Sequence, residues 1–399
     1  MVRRVNIPKE ALEKALRAGA TYTELAEQYE CSPTTISKRV KEYGLKNGSD
    51  SGLISSDSTE DGSKVMSEDR AQLGVGLDVG TMNLVSARKV GGSIETKRVR
   101  DAFLDVDAER KKMLNLRGTS YVEYEDQLLI LGDTALELAQ LLKKEVRRPL
   151  SKGLISSSEI DALEVLSILI EQVVGKPQEE GEICYYSIPA VPLDNPDQDV
   201  VYHEAVFGQI LEELGYDPIS GNEAMAIIYS ECAAESFSGI GVSFGSGMTN
   251  VALSYMTMPI LEFSVQRGGD WIDAHASKAV GSTASRLCAV KERGIDLMAP
   301  KTRDEEALVV YYKSLIKYAL DNISKKFKQT QSDTELQEAI PIIVSGGTSL
   351  AGGFLDLFKE VFERQRKRFP IEISEIRQAE DPMTSVAQGL LVQSLAEYE

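Results

Sequence analysis

Three glycine-punctuated segments hold the residues whose types and spacing could do chemistry. In LGVGLDVGTMNLVSARKV, residues 73–90, an apolar run breaks at Asp78, Gly80, Thr81 and Asn83 and then resumes. Glycines in such a tip let backbone N–H groups approach an anion closely, while a neighbouring carboxylate holds the waters of a divalent cation. The same pattern returns in IGVSFGSGMTNVALSYM, residues 240–256, with Gly245, Ser246, Gly247 and Thr249 in the tip. The third segment, IPIIVSGGTSLAGGFLDLFKEVF, runs through Gly346, Gly347 and Thr348 into an amphipathic helix, whose N-terminus favours an anion or a polar ligand edge. Each segment alone reads as an ordinary turn. Together they describe a device for holding phosphate oxygens and a hydrated Mg²⁺ ion.

Such tips need strands to present them. The first two segments read as β-hairpins, and two related hairpins imply two related halves; the third reads as a buried strand followed by a helix. A chain of 399 residues with 42% apolar and 7% aromatic side chains suits a globular protein of two or three folding units. Its longest apolar stretch, LEVLSILIEQVV, is short and contains two glutamates, and the opening MVRRVNIPKEAL lacks the apolar block of a secretion signal. A cytoplasmic protein without a membrane partner is expected. Cys31, Cys184, Cys232 and Cys288 are widely spaced and there are two histidines, which points to reduced thiols rather than zinc or disulfides. The net charge of −18 repels nucleic acid, so any DNA contact must be local.

Residues 1–46 differ from the rest, with nine Lys and Arg against six Glu. Asn6 caps a first helix with Pro8 in its first turn, TYTELAEQYE makes a second, and SPTTISKRVKEYGL starts a third with Ser32 as N-cap and Pro33 just inside. The trio resembles the helix-turn-helix family. That resemblance turns Thr34, Thr35, Ser37 and Lys38 toward base edges and Arg39 and Lys41 toward the DNA backbone. A three-helix docking module for protein remains the alternative. Residues 47–71 are rich in Ser, Asp and Gly and read as a flexible linker, with the main body over 72–399.

The order of Asp-x-Gly-Thr hairpin, second glycine-rich hairpin and SGGTSLAGG resembles the ATPase superfamily of actin, sugar kinases and heat-shock chaperones. VRRPLSKGLI, IPAVPLDNPDQDVVYHEAVF, NEAMAIIYSE, VQRGGDWIDAHASKAVG and ISEIRQAEDPMTSVAQGLL are similar, in the same order, to bacterial MreB and related prokaryotic actins. The resemblance implies an α/β, two-lobed actin-like ATPase fold of duplicated ribonuclease H-like halves, behind a small all-α head. Its second lobe would start near residue 241, and its C-terminal helix would return to the first lobe. It also implies ATP and Mg²⁺ as cofactors. Asp78, Gly80, Thr81 and Asn83 would form the first phosphate loop, Asp78 holding Mg²⁺ through water. Gly245, Ser246, Gly247 and Thr249 would form the second loop, and Gly346, Gly347 and Thr348 would shape the adenosine pocket. Gly268, Gly269 and Asp270 would line the cleft, and Gln198 falls where the family orients the attacking water, although a plain surface glutamine is the other reading. TASRLCAVKERG admits two registers for a ribose contact, one with Lys291 and Glu292 and one with Arg286; Lys291 is preferred.

One position departs from the family pattern. Its second loop begins with Asp, and here that residue is Ser243. Losing a carboxylate beside a metal harms phosphoryl transfer more than binding, so slow turnover is expected, raised by Ser243→Asp unless Asp270 or Glu223 substitutes. The expected function is a filament-forming prokaryotic actin-like ATPase, attached to DNA by its head, that positions or segregates DNA, with no small-molecule substrate beyond nucleotide. Two alternatives stand beside it: a nucleotide-gated helix-turn-helix transcription regulator, and a chaperone-like or MreB-like cytoskeletal ATPase. In the segment 302–330 the aromatic stripe of Tyr311, Tyr312 and Tyr318 reads as core, with a filament contact as the other possibility.

Overall fold

The computed structural model describes residues 72–399, except 125, 143, 160, 199 and 331–335, together with Lys9, Lys14 and Leu25. The chain divides into two compact units, Met1–Met66 and Ser67–Glu399. In the first, Lys9 and Lys14 are helical and exposed, and Leu25 is helical and buried. The expected DNA-reading residues Thr34, Thr35, Ser37, Lys38, Arg39 and Lys41, the linker 47–71 and Cys31 lie outside the described residues.

The second unit is built on two five-stranded sheets of matching design. In the first lobe β1 (Val75–Val79), β2 (Asn83–Val90) and β3 (Ser93–Arg100) form an antiparallel meander. After β3 the chain makes β4 (Phe103–Asp107), α1 (Lys111–Arg117), β5 (Val122–Tyr124), β6 (Gln127–Leu131) and α2 (Asp133–Leu142). Strands β4, β6 and β5 form a small antiparallel sheet whose own core is Leu104, Val106, Leu114, Leu128 and Ile130. A two-stranded hairpin of β7 (Leu150–Ser151) and β8 (Leu154–Ile155) follows, then α3 (Ala162–Val174), β9 (Glu182–Ile188), α4 (Val200–Leu214) and β10 (Tyr216–Asn222). Strands β9 and β10 add to β1 in parallel, giving the order β10-β9-β1-β2-β3.

After α5 (Glu223–Glu231) the second lobe repeats the scheme. The antiparallel set is β11 (Gly239–Phe244), β12 (Thr249–Tyr255) and β13 (Met258–Val265); α6 (Gly269–Val280), α7 (Ala284–Glu292) and α8 (Arg303–Thr330) come next. Then β14 (Ile340–Ser345), α9 (Phe354–Glu363) and β15 (Ile373–Gln378) complete the order β13-β12-β11-β14-β15, before α10 (Ser385–Ala396) ends the chain. Reversing this order matches it strand for strand to the first sheet, the duplication that the paired hairpins predict.

Local sequence explains the layers. Strands β11 and β14 are buried at every residue, as expected for strands covered on both faces. Strand β3, SIETKRVR, is an exposed edge, and its charges oppose pairing with another chain. Helix α8 buries Leu308, Tyr312, Leu315, Ile316, Ala319, Leu320, Ile323 and Phe327, one stripe at helical spacing. Tyr312 is buried, while half-buried Tyr311 meets Trp271 edge-to-face and Tyr318 lies under the Arg267 guanidinium, so the aromatic stripe packs on the core. Helices α5 and α10 lie between the two sheets and share a cluster with residues of both, including Tyr185, Ile227, Ile343 and Leu390. Their crossing is very close: a Cβ on Gly389 would lie 1.7 Å from the Ala226 carbonyl oxygen. On the other side of α10, a Cβ on Gly76 of β1 would lie 2.1 Å from the Ala387 oxygen. Cys184 and Cys232 are buried free thiols, and Cys288 is a partly exposed one. No helix among the described residues is long and apolar enough to cross a membrane.

Candidate functional site

The two hairpin tips face each other across a cavity of about 530 Å³ between the lobes. At the first tip the Gly80 N–H donates to the Asn83 carbonyl at 3.1 Å, closing a turn in which a Cβ on Gly80 would lie 2.7 Å from that oxygen. Asp78, next to last in β1, lies on the cavity wall and accepts a hydrogen bond from the Ser187 hydroxyl of β9 at 3.1 Å. Thr81 turns its hydroxyl to the β7–β8 turn, accepting from Gly153 N–H at 3.0 Å. At the second tip Gly245 N–H donates to Met248 O at 2.9 Å. A Cβ on Gly247 would lie 2.4 Å from Gly153 N and 2.5 Å from Thr81 Oγ1, so three turns converge where only glycine fits.

The base of α6 ties down the second tip. Gly269 N–H donates to Gly245 O at 3.0 Å, Asp270 N–H donates to Ser246 O at 2.8 Å, and the Thr348 hydroxyl donates to Gly245 O at 2.8 Å. Gly268 presses on the same loop, where a Cβ would meet the Ser246 and Gly245 carbonyls at 2.5 and 2.6 Å. Ser246 Oγ is buried with no protein partner. Gly346, with φ 86°, makes the left-handed turn out of β14 that lets Gly347 and Thr348 line the cavity. Thr249 instead faces inward and donates to Arg267 O at 2.7 Å, supporting the hairpin from behind.

Lys291 lines the cavity, its ammonium 3.0 Å from the Gly269 carbonyl and 2.8 Å from Asp273 Oδ2. Burial raises the Asp273 carboxyl to about 6 against the opposing pull of Lys291. Arg286 points away and pairs with Asp304 at 3.1 Å. Gln198 is not among the lining residues; its side-chain oxygen accepts from Asn195 at 2.9 Å and from Gln266. Asp270 lines the cavity but is held by Arg148 of the first lobe at 2.9 Å.

Three groups carry weight that the motifs did not reveal, Ser187, Gly153 and Asn250, and a fourth, Glu223, is one of the two acids that sequence alone left open. Ser243, the residue out of pattern, is buried and donates to Glu223 Oε1 at 2.6 Å, while Asn250 Nδ2 donates to Oε2 at 2.7 Å. Removal from bulk water raises Asp78 well above the usual carboxylate range, and the Glu223 charge adds to that rise; the Ser187 hydrogen bond opposes it. Burial lifts Glu223 to about 7, with the Ser243 hydrogen bond pulling down. Asp78 and Glu223 thus share one cavity wall, and the Glu223 charge makes ionisation of Asp78 costlier. Among the described residues no three His, Cys, Asp or Glu cluster as a metal cage.

A family model described as Volactin matches residues 73–394. The chain belongs to the volactin family. No curated protein matches it significantly. Among solved structures, a double-helical filament of MamK aligns with this volactin family member at TM-score 0.61 and 18% identity, covering 82% of this chain and 98% of the other. MreB5 of Spiroplasma citri bound to AMPPNP aligns at TM-score 0.56 and 15% identity, over 82% of this chain and 97% of the other. The ADP-bound form of that protein gives 0.53 and 16%, over 81% and 95%. The volactin body therefore has the actin-like two-lobed fold.

Proposed function

We propose that residues 72–399 form a nucleotide-gated actin-like ATPase that assembles into filaments. The observation that carries this reading is the convergence of both hairpin tips and the β7–β8 turn on one cavity, with Asp78 and Glu223 on its wall. The residues present fit a nucleotide with Mg²⁺: the buried Ser246 hydroxyl lacks a partner, and Gly247 leaves no room for a side chain where the three turns meet. Asp78 would hold the hydrated ion, and Gly80, Thr81, Asn83, Gly245, Ser246 and Gly247 would border the phosphates. Lys291, Gly346, Gly347 and Thr348 would border the nucleoside. Bound Mg²⁺ supplies charge neutralisation to the phosphates. The MreB5 structures bound to AMPPNP and ADP and the MamK filament support the reading by likeness of fold. Gln198 would need to leave its Asn195 and Gln266 partners to reach a nucleotide, which suits slow turnover.

For residues 1–46 the reading is a helix-turn-helix head on a linker over 47–71. It rests on the capping and charge pattern of the sequence alone. One head with a small positive balance would bind DNA weakly; many heads along a filament would supply avidity. Sedimentation and electron microscopy of the full chain with MgATP, MgADP or no nucleotide, each with and without DNA, test both parts. Nucleotide-dependent filaments that carry DNA into the pellet are expected. Soluble dimers in every condition would overturn the filament reading in favour of a nucleotide-gated regulator, and filaments that leave DNA in the supernatant would overturn the role of the head.

A further inference from the structure

In the β11–β12 pairing Ser243 stands directly opposite Asn250, so their side chains leave the same face of the sheet. That face meets the first turn of α5, where Asn222 caps the helix by accepting from the Ala224 and Met225 N–H groups at 2.9 and 3.1 Å. The cap fixes where Glu223 begins. Ser243 then grips one carboxylate oxygen and Asn250 the other, at 2.6 and 2.7 Å, and both donors are 2% exposed. Asn250 Oδ1 remains buried without a protein partner on the cavity lining, an acceptor left over for a bound water. Asp270, the other acid near this loop, is engaged by Arg148.

We infer that Glu223 is the second acid of the cleft and that Ser243 and Asn250 are positioning residues that aim it toward a divalent cation. The carboxylate that the resemblance expects on the hairpin at position 243 stands here on α5, one hydrogen bond away. The identity of residue 243 follows from this arrangement. An aspartate there would bring a second negative charge against Glu223, whereas a serine hydroxyl donates to it. Asn250 meets the same requirement from the partner strand: a neutral donor on each side, and the acid between. Ser243→Asp alone therefore weakens the site, the reverse of the expectation drawn from the loop motif by itself.

The inference rests on the nucleotide reading, and the experiment separates the two. Binding of AMPPNP to the full chain is measured by calorimetry with MgCl₂ and with EDTA. Glu223→Gln is expected to lose about tenfold or more of the affinity that Mg²⁺ confers, leaving EDTA binding unchanged. Ser243→Ala should lose part of the same increment and Ser243→Thr, which keeps the hydroxyl, should retain it. The relocated pair Ser243→Asp with Glu223→Gln should recover most of what Glu223→Gln loses. An undiminished Mg²⁺ increment in Glu223→Gln, or a relocated pair no better than Glu223→Gln alone, overturns the inference. Should Glu223→Gln fail to fold by near-UV circular dichroism, the alanine and threonine variants of Ser243 decide it, equal increments counting against it. Absence of AMPPNP binding by the unaltered chain would instead sink the nucleotide reading.

Discussion

His203 is the residue whose environment fits its chemistry least. It is 1% exposed in α4, both ring nitrogens lack a hydrogen-bond partner, and Phe207 packs its edge at 4.6 Å. Burial lowers its pKa from 6.5 to about 4, so the folded chain keeps the ring neutral while the unfolded chain protonates it below about 6.5. Stability from this group is thus complete above about 6.5 and lost as the pH falls toward 4, up to about 3 kcal/mol. Urea unfolding across that range is expected to lose this acid limb in His203→Leu. Asp101 works in the opposite sense. It is fully buried, accepts from Leu150 N–H at 3.1 Å, and burial lifts it to about 8 although Arg148 opposes the rise. The folded state holds its proton where the unfolded state has released it, so stability from this group falls as pH rises from about 4 toward 8. Asp101→Asn should flatten that slope in the same titration. Residue types alone announced Asp78 and the glycine tips, because turn chemistry is local. They left Glu223 as one of two candidates, because its role depends on Ser243 and Asn250, neighbours that the strand pairing supplies.

Among the elements, α10 decides the most for its length. It runs between β1 on one side and α5 on the other, with Gly76 and Gly389 at the contacts. Its sequence, SVAQGLLVQSLA, has no clear polar face, as suits a helix packed on two sides, with Val392 left exposed. Gly389→Ala would drive a methyl into the Ala226 carbonyl and should destabilise by about 3 kcal/mol or more, read as a lowered urea midpoint. A milder cost would mean that the α5–α10 crossing yields. Phe358 of α9 tests the second lobe: it is fully buried against Phe244 and Phe354, and Phe358→Ala should cost about 3–5 kcal/mol. The paired hairpins and the β14-turn-α9 unit follow from apolar period and punctuation. The closeness of α5 to α10 does not, since a glycine within a helix reads only as a weak helix former until its neighbour is known.

For the whole molecule, ion pairs that join the first lobe to the second include Arg148–Asp270 at 2.9 Å and Arg100–Glu292 at 3.2 Å beside the cavity, and Arg267–Asp194 at 3.9 Å. The side chains of the two pairs beside the cavity are partly exposed, so salt should weaken them. Arg148→Ala is expected to speed release of a fluorescent ATP analogue several-fold in stopped flow and to blunt its salt dependence; an unchanged rate would show that the pair does not hold the lobes. The sequence by itself determined the two related hairpins, their glycine tips and the third glycine turn, while the two-lobed α/β fold was what the resemblance to prokaryotic actins implied. The hairpins and turns depend on near neighbours in the chain, where period, capping and turn residues act. Tertiary structure alone decided which acid faces Asp78, that Arg286 looks outward while Lys291 looks in, and that Asp270 is committed to Arg148. Each of those depends on burial and charge shared between segments far apart in the chain, which pattern and spacing do not encode.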